Sequence, residues 1–231
     1  MTGPCPYDMC DGSGFVVDAE TKTARDCRCR PERIGRARAR ALSAVIPRRY
    51  RDVAFDRAPV VDMDPVIVRP VRRFADNVSD QLEAGEGLRF TGDVGTGKTT
   101  LAMLVSKSAL EAGHSVAIYS LPRLLTELRR TFDEGSRHTH VGLLDRLAAV
   151  DLLHLDDLGA ENTTAWVLEE LYSIVNTRYE QQRSILVTTN VTDPEALRDQ
   201  IGVRTVSRLD EMCDDIPLFG HDRRTERFSA A

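Results

Sequence analysis

The chain has 231 residues, 42% hydrophobic and 29% charged, proportions that exclude wholesale disorder and fibrous repeats and allow one full domain plus a small module. Its net charge of −5 is unevenly spread: residues 1–51 hold 11 Lys and Arg against 6 Asp and Glu, and the rest hold 20 against 30, a basic head on an acidic body. No apolar run approaches the roughly 20 residues of a membrane helix, and residues 1–30 lack the basic-then-apolar pattern of a signal peptide, so a cytoplasmic protein with no membrane partner is expected.

The first thirty residues carry Cys5, Cys10, Cys27 and Cys29, with a glycine-bearing turn at 10–14 and a short apolar run Phe15-Val16-Val17 that together predict a tight knuckle and hairpin. In a reducing compartment these four thiols are poor disulfide candidates and good metal ligands. They suffice for tetrahedral Zn²⁺, although Cys-x4-Cys and Cys-x-Cys both depart from the usual Cys-x2-Cys knuckle. Zinc would supply the folding energy that so small a core lacks; the alternative is four unliganded thiols on a flexible head. Cys213 stands alone and is expected as a half-buried small apolar side chain. His114, His138, His140, His154 and His221 show no ligand spacing with the cysteines and are assigned no role.

From Pro31 to Val45 the pattern is helical and basic, with Arg33, Arg36 and Arg40 on one face, and Pro47 ends it. The arginines between 28 and 40 suit either a nucleic-acid backbone or an acidic protein surface. Residues 48–75, with Pro59, Pro65 and Pro70, read as an irregular connector with a short helix starting near Val71. The expected division is therefore a cysteine-rich, basic module at 1–42, a connector at 43–75 and a large domain at 76–231.

Within the large domain, strands at Leu88–Thr91, Ser115–Ser120, Asp151–Asp156 and Ser184–Thr189 alternate with helices at Lys98 to about Ala112, about Pro122–Glu134 and near Thr164–Gln182. That alternation predicts an α/β fold whose parallel sheet is covered on both faces and binds ligands at the carboxyl ends of its strands.

The segment Gly92-Asp93-Val94-Gly95-Thr96-Gly97-Lys98-Thr99 fits G-x-x-x-x-G-K-[ST] at every fixed position and lies after a strand and at the start of a helix. Its glycines allow close backbone approach to phosphate oxygens, and the helix amino end presents free N–H groups to an anion. Lys98 would reach the β- and γ-phosphates and Thr99 would ligate Mg²⁺; Thr100 completes the expected nucleotide-binding set. An apolar strand then ends in Asp156 and Asp157, the first placed to hold Mg²⁺ and the second to polarise the attacking water. Asn190 tips the strand expected between the first and third; its amide can orient water or contact the γ-phosphate, or serve as a turn or cap. Arg204, Arg208, Arg223 and Arg224 lie downstream, as candidate arginine fingers or as solvated surface charges.

Together the phosphate loop, Leu152–Gly159, Leu171–Tyr179, Thr188-Thr189-Asn190 and Arg204 with Ser207-Arg208-Leu209 resemble AAA+ ATPases of the DnaC/DnaI helicase-loader and IstB transposition-helper group, across about residues 45–224. The resemblance implies an AAA+ P-loop NTPase fold, with Lys98 and Thr99 as Walker A residues, Asp156 and Asp157 as Walker B residues and Asn190 as sensor I. It implies Arg208 as a finger acting on a neighbouring subunit, with Arg223 or Arg224 as a sensor II. Two departures stand out. The second Walker B acid is Asp157 where most AAA+ motors have Glu, one methylene less of reach, which suggests slow, switch-like turnover. The chain also stops soon after Arg224, leaving little room for a helical lid.

The expectation is an ATP-dependent loader that oligomerises on ATP and DNA, engages a hexameric replicative DNA helicase through its zinc head and helps place it on single-stranded DNA. Its rival is an IstB-like transposition helper that binds DNA and a transposase and does not need the cysteine module. A third reading, a zinc-containing DNA-binding regulator with a vestigial ATP site, is disfavoured because every phosphate-loop and acidic position is intact.

Overall fold

The computed structural model describes residues 5–18, 23–33, 46–132, 139–160, 163–220 and 222. At the amino end, β1 (Phe15–Val17) pairs antiparallel with β2 (Ala24–Asp26), Phe15 opposite Asp26, which forms the expected hairpin. Residues 30–33 are helical; Arg36 and Arg40 lie outside the described residues.

The large domain is built on five parallel strands in the order β4 (Val116–Ser120), β5 (Leu152–Leu158), β6 (Ser184–Thr189), β3 (Gly87–Gly92), β7 (Cys213–Leu218). Thus β6 lies between β3 and β5, as the sequence predicts. Strand β7 is absent from the sequence reading because Cys-Asp-Asp-Ile-Pro-Leu looks like a loop. At a sheet edge, pairing only with β3, it tolerates Pro217 and exposed acids.

Alternation along the strands sends neighbouring residues to opposite cores. Leu88, Phe90, Leu152, Leu186 and Ile216 pack with α1 (Pro65–Asp76), α2 (Val78–Ala84) and α3 (Lys98–Glu111). Leu153, Leu155, Ile185 and Val187 pack with α4 (Leu121–Arg130), α5 (His140–Ala149), α6 (Ala165–Glu180), α7 (Pro194–Ile201) and α8 (Val203–Met212).

The helix expected near Val71 begins at Pro65. Asp64 Oδ1 accepts the Val66 N–H at 2.8 Å, a capping interaction, and Pro65 occupies the first turn, where no N–H is needed. Pro70 forfeits one helical hydrogen bond, which the burial of Val71, Phe74 and Ala75 outweighs. Val60 and Met63 join the same core, so this proline-rich stretch packs against the sheet.

Arg178, fully buried on α6, ties the amino ends of two strands together. Its guanidinium donates to Leu147 O at 2.7 Å, Val150 O at 3.0 Å, Asp151 O at 3.1 Å and Ser184 O at 2.5 Å. Burial and the nearby Arg183 charge push its pKa down to about 9, so it still carries its charge at pH 7. Among the described residues no helix is long and apolar enough to cross a membrane.

Candidate functional site

At the carboxyl end of β3 the chain turns through residues 92–97 into α3. Gly97 sits at φ 108°, a conformation that favours glycine, and a Cβ there would fall 2.2 Å from Met63 Cε and displace the end of that side chain. Thr96 Oγ1 donates to Asp93 O at 2.9 Å and closes the loop on itself. Lys98 Nζ donates to Gly92 O at 2.7 Å and Asp93 O at 2.5 Å, which holds its ammonium within the loop. The N–H groups of Lys98, Thr99 and Thr100, in the first helical turn, have no carbonyl one turn back within the helix, the usual means by which a helix end binds anions.

Strand β5 brings its two acids to this loop by different routes. Thr99 Oγ1 donates to Asp156 Oδ1 at 2.9 Å, and Thr188 Oγ1 donates to the same oxygen at 2.7 Å. Burial opposes the charge on Asp156, but the facing His154 ring and the Thr188 and Thr99 hydroxyls outweigh it and hold the carboxyl below its ordinary range. Hydroxyl and carboxylate at the amino end of α3 form a donor set suited to a hard divalent cation such as Mg²⁺.

Asp157 is exposed at φ 59°, where the register of β5 with β6 slips between Leu155 and Leu158. A left-handed Asp costs on the order of 1 kcal/mol, and the bulge turns its side chain away from the pleat. Its N–H donates to Thr188 Oγ1 at 3.0 Å. Val94, Gly95, Gly97, Lys98, Thr99, Thr100, Asp157 and Asn190 line one cavity of about 510 Å³. Gly92, Asp93 and Thr96 shape the loop behind it.

Residues that the sequence reading did not single out complete the site. Arg49, Tyr50, Val53, Pro59 and Met63 form the remaining wall of the cavity, an aromatic and apolar surface with one guanidinium, suited to a purine base. No local signal marks them, since they lie in the stretch read as a connector. Thr188 bridges both acids and His154 lies behind them, buried, with Nδ1 3.0 Å from Ser106 Oγ and Nε2 3.9 Å from Asp156 Oδ1. The run Thr188-Thr189-Asn190 carries part of this signal, and the sequence points to a role for Asn190 alone.

Arg208 is not among the residues lining the cavity. It lies on α8 with its side chain about one-third exposed: Nε donates to Asn176 Oδ1 at 3.2 Å, the guanidinium stacks 4.1 Å from the centre of the Tyr179 ring, and Glu211 pairs with it at 3.6 Å. Arg223 and Arg224 lie outside the described residues.

The four amino-terminal cysteines converge, their sulfurs all within 4.8 Å of one another. Cys5 and Cys27 stand 3.7 Å apart, as do Cys10 and Cys29. A tetrahedron with Zn–S bonds of about 2.3 Å has edges of about 3.8 Å, so the donor set fits zinc. Burial works against a Cys5 thiolate, yet the backbone at Tyr7, Met9 and Cys10 brings its pKa down to about 6; burial and the facing sulfurs push Cys29 up to about 12. A divalent cation would relieve that mutual repulsion. Exposed Tyr7 and Phe15 lie beneath the guanidinium groups of Arg28 and Arg30 beside the cluster.

The family model of the IstB-like ATP binding protein matches residues 16–200. The replicative helicase loader DnaC of Buchnera aphidicola subsp. Schizaphis graminum is 25% identical over 161 residues, 69% of this chain and 64% of that protein. The replicative helicase loader DnaI of Bacillus subtilis is 29% identical over 153 residues, 61% of this chain and 48% of that protein. Both alignments thus span less than two thirds of the relatives' own lengths. Among solved structures, that of the DnaC helicase loader superposes with a TM-score of 0.64 at 26% identity, covering 74% of this chain and 99% of that one.

Proposed function

Because the chain belongs to the family of IstB-like ATP binding proteins, we propose that it is an AAA+ ATPase acting as a DnaC/DnaI-like helicase loader, a nucleotide switch that engages a replicative DNA helicase and assists its placement on single-stranded DNA. The observation that carries the nucleotide half of this reading is one cavity onto which the phosphate loop, Asp157 and Asn190 converge, with Asp156 hydrogen-bonded to Thr99, one of the lining residues.

In that cavity the first-turn N–H groups and Lys98 bind the polyphosphate, and Arg49, Tyr50 and Met63 hold the base. Thr99 and Asp156 would hold Mg²⁺, which supplies neutralising charge at the phosphates. Asp157 accepts a hydrogen bond from the attacking water, Asn190 orients that water, and Arg208 from a neighbouring copy stabilises charge at the γ-phosphate. A carboxylate shorter than Glu suits slow turnover. A sensor II role for Arg223 or Arg224 belongs to the same proposal.

We assign the amino-terminal module, residues 1–42, to helicase binding, with Cys5, Cys10, Cys27 and Cys29 holding one Zn²⁺. The sulfur geometry supports the metal, and the exposed aromatic and arginine side chains beside it supply a contact surface. Capture experiments with purified replicative helicase and purified transposase, each with and without ATP, test the reading. Nucleotide-dependent retention of the helicase is expected; retention of the transposase alone would move the assignment to the IstB-like transposition helper.

A further inference from the structure

After β7 the chain runs along the phosphate loop. Leu218 O accepts the Asp93 N–H at 3.1 Å, and the Gly220 N–H donates to Asp93 Oδ2 at 3.2 Å. The passage is tight: a Cβ on Gly92 would fall 1.8 Å from Leu218 O, so only glycine lets the two segments cross. Two residues beyond Gly220, half-buried Asp222 sets its carboxylate against Gly95, where a Cβ would fall 1.8 Å from Asp222 Oδ1. Gly95 lines the same cavity as Lys98 and Thr99. A loop whose N–H groups and lysine are arranged for anions therefore has an acidic side chain of its own chain in contact with it.

We propose that Leu218, Gly220 and Asp222 form a latch on the phosphate loop, anchored at Asp93, in which the Asp222 carboxylate opposes the arrival of a polyphosphate. The proposal rests on the reading of Gly92–Thr99 as an ATP site. Like charges partly shielded from water repel far more strongly than in bulk solvent, and the repulsion grows with the charge of the ligand. Linkage makes the effect mutual: whatever factor the closed latch takes from ATP affinity, bound ATP takes from latch closure. Nucleotide occupancy is then passed to the residues that follow Asp222 in sequence, among them Arg223, Arg224 and Arg227. Opening the latch would release the hydrogen bond from the Asp93 N–H to Leu218 O and the one from the Gly220 N–H to the Asp93 carboxylate.

Equilibrium binding of AMP, ADP and ATP to the full chain tests this, comparing wild type with Asp222→Asn, Asp222→Lys and Lys98→Ala. Asp222→Asn should tighten ATP binding by about 3- to 10-fold, with a smaller gain for ADP and least for AMP, and Asp222→Lys should tighten it further. The gain should shrink in 1 M salt, where the screening length falls to about 3 Å. Unchanged or weaker ATP binding in both Asp222 variants, or an equal gain for all three nucleotides, would overturn the latch. If Lys98→Ala loses ATP while the Asp222 variants match wild type, the latch alone is wrong. If Lys98→Ala binds ATP as well as wild type does, the ATP site itself fails and the latch with it.

Discussion

Lys98 and Asp157 line one cavity, but they are positioned by different forces, and their substitutions should separate binding from hydrolysis. Lys98→Ala removes the charge that the loop holds with two carbonyls and should abolish measurable ATP binding. Asp157→Asn keeps size and shape, so ATP should bind nearly as before while phosphate release slows by about 100-fold; hydrolysis at the wild-type rate would remove Asp157 from its assigned role. Thr188 extends the test to a residue whose importance the sequence conceals. Its hydroxyl accepts from the Asp157 N–H and donates to Asp156, so Thr188→Val should leave the fold intact and lower hydrolysis by about 10-fold through misplaced acids. Parallel ATPase and nucleotide-affinity measurements would show it; an equal loss in both would mean a merely structural threonine. The phosphate loop and both acids were legible because their types and spacing follow from chemistry alone. Thr188 and His154 were not, since cross-strand register decides what they face. Tyr50 and Met63 were hidden for a further reason: the connector that brings them over the loop is held by packing, not by a local signal.

Elements were legible where their burial is one-sided or complete. The apolar runs of β3, β5 and β6 declare central strands, and the span of α6 follows from its length. Helix α5 escaped because Gly142 weakens its pattern, while the Thr139 cap, whose Oγ1 accepts the Gly142 N–H at 3.1 Å, acts one turn away. Where β4 and β5 begin, Asp151 Oδ2 accepts both the N–H and the hydroxyl of Ser115, at 2.9 and 2.7 Å, and Arg183 pairs with Oδ1 at 3.1 Å. Burial raises its pKa, and these donors together with His114 more than reverse that, so the folded value lies below the ordinary 3.8. The stabilisation is therefore present above pH 3.8 and is lost as pH falls through the lowered value. Denaturant titration of Asp151→Ala should show a deficit on the order of 1 to 2 kcal/mol at pH 7 that fades as pH falls through the lowered value; a pH-independent deficit would contradict the ionic account. The cysteine knuckle rests on two three-residue strands and the sulfur cluster, too little to fold alone. Purified protein should carry about one zinc per chain, and Cys27→Ser with Cys29→Ser should lose it. Metal content near zero, after aerobic and anaerobic preparation alike, would dismiss the site.

At the scale of the whole molecule, the proposed ATP site and Arg208 stand apart. Phosphate loop, Asp157 and Asn190 meet in a single cavity, while Arg208 is held away from it on α8 by Asn176, Tyr179 and Glu211. An arginine fixed on an outer helix, its side chain about one-third exposed, can serve the cavity of a second copy, which would confine transition-state stabilisation to the assembled state. Helicase or single-stranded DNA would then govern turnover by governing contact between copies. Lys98→Ala and Arg208→Ala proteins, each inactive, offer the most direct measurement when mixed on single-stranded DNA under conditions where co-assembly is demonstrated. Recovery of ATP hydrolysis in the mixture is the predicted result, because an intact phosphate loop on one copy then meets an intact Arg208 on the next. No recovery in co-assembled mixtures would contradict a site shared between subunits.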